Sequence, residues 1–551
     1  MLPLKAILLS ILAFPAHKAC CLMLSPATTP IVNVAGVPTE TPIAGDYTGH
    51  FRPQVHFSPP VGYMNDPNGL FRDASGTYHL YYQYNPTAIV AGNQHWGHAT
   101  STDLYHWTNQ PIALFPHLNV TGIFTGSIVI DVNNTSGFFP NQTNGVVAIY
   151  TGDGSDDENQ RLAFSTDGGF TFEQFSGNPV LAIGSRAFRD PKVIWHKETQ
   201  IWVMSVAFAN DRAIGFFTSP NLRNWTHVSS FTFHIIGDQY ECPNMLSVPL
   251  LEEDGSVHET MDLLWISINP GAPLGGSISQ YFPGHFNGTH FTAVDEEIRL
   301  TDFGKDNYAA QFWYGVDGDP LEGGALSIAW ASNAQYANDV PTGQSEGWRS
   351  SMSLPRRNFL KNDAEIGWTL VSTPFDLRPA MGAELASNNS LGNGMLVAQG
   401  GVNESNANTG TFMIAVNITS LNGGGLVNDA AITFIIYSSS SGESLKARQK
   451  LSGDHSLILD RSNTRAFTNP GFNPQVETEL AFIEEWDVVM TIDRSVWEVF
   501  VLGGKRSATL LYFPEGILDR VEVATEGLDE QTQVSVRINE LSSTWPVAST
   551  A

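Results

Sequence analysis

Five times along this chain a short polar opening leads into an apolar run, a turn and a second apolar run. The first is Asn65-Asp66-Pro67-Asn68-Gly69, which continues to Arg72 and returns as Tyr78-His79-Leu80-Tyr81-Tyr82-Gln83. The second opens at Thr125-Gly126-Ser127 and returns as Val146 to Tyr150. The third opens at Arg189-Asp190-Pro191 and returns as Ile201 to Met204. The fourth opens at Glu241-Cys242-Pro243 and returns as Leu263 to Ile266. The fifth opens near Asp306-Asn307-Tyr308 and returns as Leu326 to Trp330. The openings at 66, 126, 190, 241 and 306 recur every 51 to 65 residues. A second echo, Ser101-Thr102-Asp103, Ser165-Thr166-Asp167 and Ser219-Pro220-Asn221, reads as one turn between the third and fourth strands of successive units. Four strands per unit, repeated five times, predict a five-bladed β-propeller over residues 48–376. Long loops account for a period above that of the commoner propeller repeats.

Composition agrees with an all-β chain. Only 15% of residues are charged, while Gly (50) and Pro (31) are plentiful, which suits many turns rather than long helices. The formal charge of −27 excludes nucleic acid and anionic membrane surfaces as partners, but places no limit on a neutral ligand such as a sugar. Past the proline-bearing stretch 377–395, read as a linker, alternating strands resume at Phe412–Val416, Ile432–Tyr437, Val488–Ile492 and Val496–Val501. They predict a β-sandwich over 396–547. Its role is either to pair two copies as a homodimer or to support the first domain.

Residues 1–22 read as a secretory signal: Lys5, the apolar run Ala6 to Ala16, then small residues. Secretion fits the Asn-x-Ser/Thr acceptors at Asn119, Asn133, Asn134, Asn141, Asn224, Asn287, Asn388, Asn403 and Asn417. With Cys20 and Cys21 removed, Cys242 stands alone, so no internal disulfide forms and the core must carry stability. Such a lone thiol reads as a small buried hydrophobe.

In a propeller the innermost strand of each blade faces the axis, so Asp66, Asp190 and Glu241, at the openings of three units, are expected to meet in one funnel. Taken singly, Asp-Pro and Glu-x-Pro are ordinary turn chemistry. Three at matching positions of a repeat point instead to a site. Crowded carboxylates oppose one another's ionisation, and a protonated acid facing an ionised one is the equipment of glycoside hydrolysis. Tyr63, Trp96, Trp330 and Trp348, near unit openings and returns, supply faces on which a sugar can stack. Nothing in the pattern calls for a metal or cofactor.

Met64-Asn65-Asp66-Pro67-Asn68-Gly69, Phe124-Thr125-Gly126-Ser127, Arg189-Asp190-Pro191 and Glu241-Cys242-Pro243 resemble the signature blocks of glycoside hydrolase family 32. So do Tyr82-Gln83-Tyr84-Asn85-Pro86, Trp96-Gly97-His98-Ala99, Trp330-Ala331-Ser332-Asn333, Gln280-Tyr281-Phe282 to Phe291, and Asp493 to Phe500. The resemblance covers about residues 50 to 540. It implies a secreted, N-glycosylated, extracellular or cell-wall-associated retaining β-fructofuranosidase acting on sucrose and fructo-oligosaccharides, with fructosyl transfer as a side activity. It further implies Asp66 as nucleophile, Glu241 as acid/base and Asp190 as transition-state stabiliser with Arg189 beside it. Asn65, Gln83, Ser127 and Trp330 would line the fructose pocket, with Trp96 on its rim. The chain departs from the family pattern at Tyr63, at Asn244-Met245 and at Ala91-Gly92-Asn93-Gln94, the last on the leaving-group side. An inulinase or levanase, a dedicated fructosyltransferase and an inactive sugar-binding propeller are the alternatives.

Overall fold

The computed structural model describes residues 37, 40–116, 120–233, 236–315, 324–400, 409–421, 426–427, 429–480 and 484–545. The signal read over 1–22 and the acceptors Asn119 and Asn403 lie outside them. Apart from two 3-10 turns and the short helix Thr342–Glu346, the regular structure of the described residues is β-strand.

Residues 62–374 form five antiparallel meanders of four main strands, the fourth and fifth joined by the single parallel pairing Leu250–Leu360. Their inner strands are Gly62–Arg72, Val120–Ile130, Phe188–His196, Tyr240–Leu251 and Tyr308–Phe312. Each touches the next, and the fifth returns to the first, so the five inner strands form a ring. Beyond the site, Arg72 N–H donates to the Tyr314 carbonyl and Tyr314 N–H to that of Leu70, tying the last unit to the first. The Ser-x-Asp/Asn turns sit between the third and fourth strands of their sheets, where Asp103, Asp167 and Asn221 accept backbone N–H groups that the ladder leaves unpaired.

Every inner strand carries a β-bulge near its entry, where two residues face one on the neighbouring strand. The bulged pairs are Asn65-Asp66, Phe124-Thr125, Asp190-Pro191, Cys242-Pro243 and Ala309-Ala310. Asp190, Cys242 and Ala309 hold positive φ values of 67°, 46° and 52° at the same bulge position. A bulge bends the strand and re-aims its side chains, so one device is used five times around the ring.

The C-terminal residues form two six-stranded antiparallel sheets that share one core. Phe412, Ile414, Trp486 and Trp497 of one sheet interleave with Phe434, Ile436, Leu457 and Val523 of the other. Full burial stabilises by about 1.5–3 kcal/mol for each large aliphatic or Phe side chain. The stretch 377–395 is not a free linker. It carries the strand Met381–Asn388, paired with Gln533–Leu541, and the first residues of Gly394–Gln399 in the opposite sheet. Its Asn and Ser residues make the crossover turn between sheets, which has the composition of a linker.

The two units meet through buried charge. His56 lies 2.8 Å from Asp493 and 3.1 Å from Glu498, and Arg356 bridges Glu498 to Asp302 at 3.2 Å. Removing one partner of such a pair costs about 3–5 kcal/mol, so losing any of these groups weakens the junction between the units.

Candidate active site

The bulges bring three carboxyl groups together from three successive positions, not from one. Asp66 is the second residue of its bulge, Asp190 the first of its own, and Glu241 precedes its bulge. By register Glu241 therefore matches Arg189 and Tyr308, whereas Cys242 matches Asp190. The three acids therefore do not share the one repeat position expected of them: Pro67 follows its bulge whereas Pro191 and Pro243 are the second residues of theirs, and Glu241 stands one residue further from its proline than Asp190 does.

Cys242 is the node of the cluster. Its backbone N–H donates to Asp190 Oδ2 at 3.0 Å, and its thiol lies 3.4 Å from Asp66 Oδ2 and 3.6 Å from Asp190 Oδ2. It is buried, but it ties two acids together and is more than apolar filler. Thr125 donates its hydroxyl to Asp66 Oδ2 at 2.8 Å, and Asn65 its amide to Oδ1 at 3.2 Å. Glu241 is held from both sides. Arg189 donates to Oε1 at 2.9 and 3.1 Å, and the Tyr308 phenol donates to Oε2. Arg189 also reaches Glu158 at 3.2 Å and Gln239 at 3.3 Å, which fixes its fork.

Burial pushes the Asp66 carboxyl above its usual range; the Thr125 hydrogen bond opposes this, and the Glu241 charge adds to it. Asp190 is pushed up likewise, by burial first, with Arg189 opposing and the Glu241 and Asp66 charges reinforcing. The cluster therefore retains a proton near neutral pH, as crowded carboxyl groups do. Arg189 stays charged throughout.

The other expected residues divide. Trp330 lies across the ladder from Tyr308, ring centroids 6.2 Å apart, and packs with Tyr63, Cys242 and Ala337 into an apolar wall beside the acids. Gln83 is the single residue facing the Asn65-Asp66 bulge and is 2% exposed. Ser127 is fully buried, donating to the Pro191 carbonyl at 2.9 Å and accepting from Val193 N–H at 3.0 Å, so it ties the second inner strand to the third. Trp96 is no rim residue. It is fully buried between the first two sheets, with Tyr81 and Tyr150 around it and its indole N–H on the Phe124 carbonyl at 3.0 Å. Trp348 is likewise buried, beneath Arg52. Asn244 is buried and donates to the Ala310 carbonyl at 2.9 Å, joining the fourth and fifth inner strands. Sequence reasoning missed Tyr308 and Thr125 as site residues, although both stand at the unit openings that revealed the acids. The loop bearing Ala91 is pinned by Ala91 N–H to Asn338 at 2.9 Å and by Ile123 N–H to the Gln94 carbonyl at 2.9 Å.

Converging carboxyl groups that share a proton, clamped by a guanidinium and a phenol beside aromatic faces, form the kind of site that glycoside hydrolases use. Residues 56–374 match the family model described as glycosyl hydrolases family 32 N-terminal domain, and the chain belongs to that family. It is 49% identical to invertase 2 of Saccharomyces cerevisiae over 320 residues, covering 57% of this chain and 58% of that protein. It is 38% identical to an extracellular exo-inulinase of Meyerozyma guilliermondii over 500 residues, covering 87% of this chain and 91% of that one. The matches to the two yeast invertases thus span less than two thirds of those proteins. Among solved structures, a fructofuranosidase from Schwanniomyces occidentalis complexed with fructose superposes with a TM-score of 0.82 at 35% identity, covering 91% of this chain and all of that one.

Proposed function

We propose that residues 48–376 close as a five-bladed β-propeller backed by a β-sandwich, and that the protein is a secreted retaining β-fructofuranosidase. Its substrates are sucrose and related terminal β-D-fructofuranosides, with fructosyl transfer at high sugar. The observation that carries this reading is the convergence of Asp66, Asp190 and Glu241 from three separate bulges onto Cys242 and Arg189. The ring of inner strands supports the propeller, and the names of the invertase and exo-inulinase relatives support substrate and secretion. Asn133, Asn141, Asn224, Asn287 and Asn417 are exposed and suited to carry glycans.

In the first step an Asp66 oxygen attacks the anomeric carbon while the bond to the leaving oxygen breaks. Glu241, the carboxyl group in contact with both a cation and a hydroxyl donor, acts as the general acid and in its protonated form gives its proton to that oxygen. Asp190 holds fructose hydroxyl groups and meets the oxocarbenium-like charge. In the second step Glu241 takes a proton from water, the hydroxide attacks the same carbon, and Asp66 leaves, so configuration is retained. Asn65 and Trp330 face the sugar, while the buried Gln83, Ser127 and Trp96 shape its pocket from behind. The near full-length match to an exo-inulinase favours a fructan substrate as the second reading.

Purified protein assayed on sucrose, raffinose and inulin, with Asp66→Asn as control, tests both. Release of glucose and fructose from sucrose, abolished in Asp66→Asn, is expected. Faster turnover of inulin than of sucrose would move the assignment to the second reading. Wild-type turnover in Asp66→Asn would overturn the nucleophile.

A further inference from the structure

The entry of the fifth inner strand is anchored on the C-terminal sheets. Asp306 N–H donates to the Thr509 carbonyl at 3.0 Å, and Asn307 donates to the Thr509 hydroxyl at 3.2 Å. Asp306 Oδ2 accepts from Leu511 N–H at 2.8 Å and pairs with Arg461 at 2.7 Å. Arg461 lies in the strand Ser456–Asn463 and is 1% exposed. Its fork is set by the Asn473 carbonyl at 2.8 Å and the Leu511 carbonyl at 2.6 Å, and its guanidinium stacks 3.6 Å from the Phe472 ring centroid. Arg461 therefore reaches Asp306 from a rigid seat in the other unit.

Two parts of the site hang from Asp306. Tyr308, two residues on, donates to Glu241, and the bulge begins immediately after it. Tyr336 donates to the other Asp306 oxygen and precedes Ala337, which packs with Tyr63 and Trp330 in the pocket wall. The Tyr308–Phe312 strand is only five residues long, so its own ladder gives Tyr308 little support.

The geometry points to Arg461 as a positioning residue: through Asp306 the C-terminal unit sets the Tyr308 phenol against the acid/base Glu241. This inference rests on the β-fructofuranosidase reading above. It makes the second unit a part of the catalytic alignment, acting on leaving-group protonation in particular. A misplacement of about 1 Å in such a contact lowers turnover by up to about a hundredfold, and general acid help is worth about 10²–10⁴-fold.

A leaving group that needs no proton separates positioning from mere support. Sucrose expels an alkoxide and depends on the acid, whereas p-nitrophenyl β-D-fructofuranoside expels a stable phenolate. Because kcat/KM reports only the step that expels the leaving group, Arg461→Met is expected to lower kcat/KM on sucrose by about tenfold and to leave kcat/KM on the nitrophenyl fructoside within about twofold. Arg461→Lys, which keeps the charge, should recover part of the sucrose rate; it also carries the comparison should Arg461→Met not fold. In a Tyr308→Phe background Arg461→Met should add little. Asp493→Asn cuts another buried tie between the units, to His56, with no hydrogen bond to residues 306–308. It should lower the melting temperature and leave the ratio of the two rates unchanged.

Equal losses on both substrates, or an unchanged ratio in Arg461→Met and Arg461→Lys, would overturn the positioning role while leaving the activity assigned. A wild-type protein inactive on both fructosides would overturn the activity, and this inference with it.

Discussion

Tyr308→Phe removes a single oxygen and keeps the ring, so it isolates one contact of Glu241, the proposed acid/base. The phenol donates to Glu241 Oε2, while Arg189 occupies Oε1. A hydrogen bond to a charged group contributes about 1.5–3 kcal/mol. The Glu241 side chain is 17% exposed, so water takes up part of the lost contact and the lower figure applies. About 1.5 kcal/mol corresponds to about a tenfold loss of rate when the contact steers proton transfer. Steady-state kinetics on sucrose should therefore show kcat/KM down about tenfold, carried by kcat. The ring still packs against Trp330, so the melting temperature should move little. A rate constant within about twofold of wild type would refute the claim that this phenol orients the acid.

Two buried histidine sites give opposite pH limits to stability. His79 and His98 lie 3.1 Å apart, nitrogen to nitrogen, and burial pushes His79 down to about 4 despite Asp73 at 3.7 Å and the Asp167 charge; burial and the His79 charge hold His98 well below the usual histidine range too. The unfolded chain takes up these protons first, so stability should fall as pH drops from about 6.5 to about 4, by on the order of 3 kcal/mol for His79 alone. His79→Phe should flatten that limb in urea titrations at stepped pH. Burial opposes charge on His56 as well, but hydrogen bonds to Asp493 and Glu498 prevail and raise it to about 9. Its contribution is whole below about pH 6.5 and should be lost as pH climbs through about 9, a loss that His56→Gln should no longer show. Gly126→Ala would set a methyl 2.2 Å from the Ile149 carbonyl oxygen and 2.6 Å from Tyr150 Cα, both backbone. The Thr125 bulge must open to admit it, so a loss of about 1–3 kcal/mol in chemical denaturation is expected, together with lower activity.

The repeat was legible because each opening pairs a turn former with a strand, and all five openings fall at inner strands of their sheets. The three acids were legible for the same reason. Their offsets were not, because the prolines that seem to align the openings hold different places: Pro67 follows its bulge, whereas Pro191 and Pro243 lie within theirs. Glu241 thus stands beside Arg189 and Tyr308 rather than level with Asp190. Trp96 looked suited to a rim because an indole can stack on a sugar. It is buried because Tyr150, from the next sheet, closes over it, a contact between residues more than fifty positions apart. The crossover at 377–395 carries the polar residues of a linker because turns and linkers meet the same solvent. Arg461 lay in a domain read only as support or dimer surface, and its partner Asp306 had been seen only as an opening marker.

The most direct test of the central proposal is to locate the covalent intermediate. Glu241→Ala treated with p-nitrophenyl β-D-fructofuranoside should release a burst of nitrophenolate and then stall, since no base activates the water. Digestion and peptide mass analysis of the stalled protein should find one fructosyl group on the peptide bearing Asp66. A fructosyl group on Asp190 or elsewhere, or steady turnover of that variant with inversion at the anomeric carbon and no adduct, would contradict it.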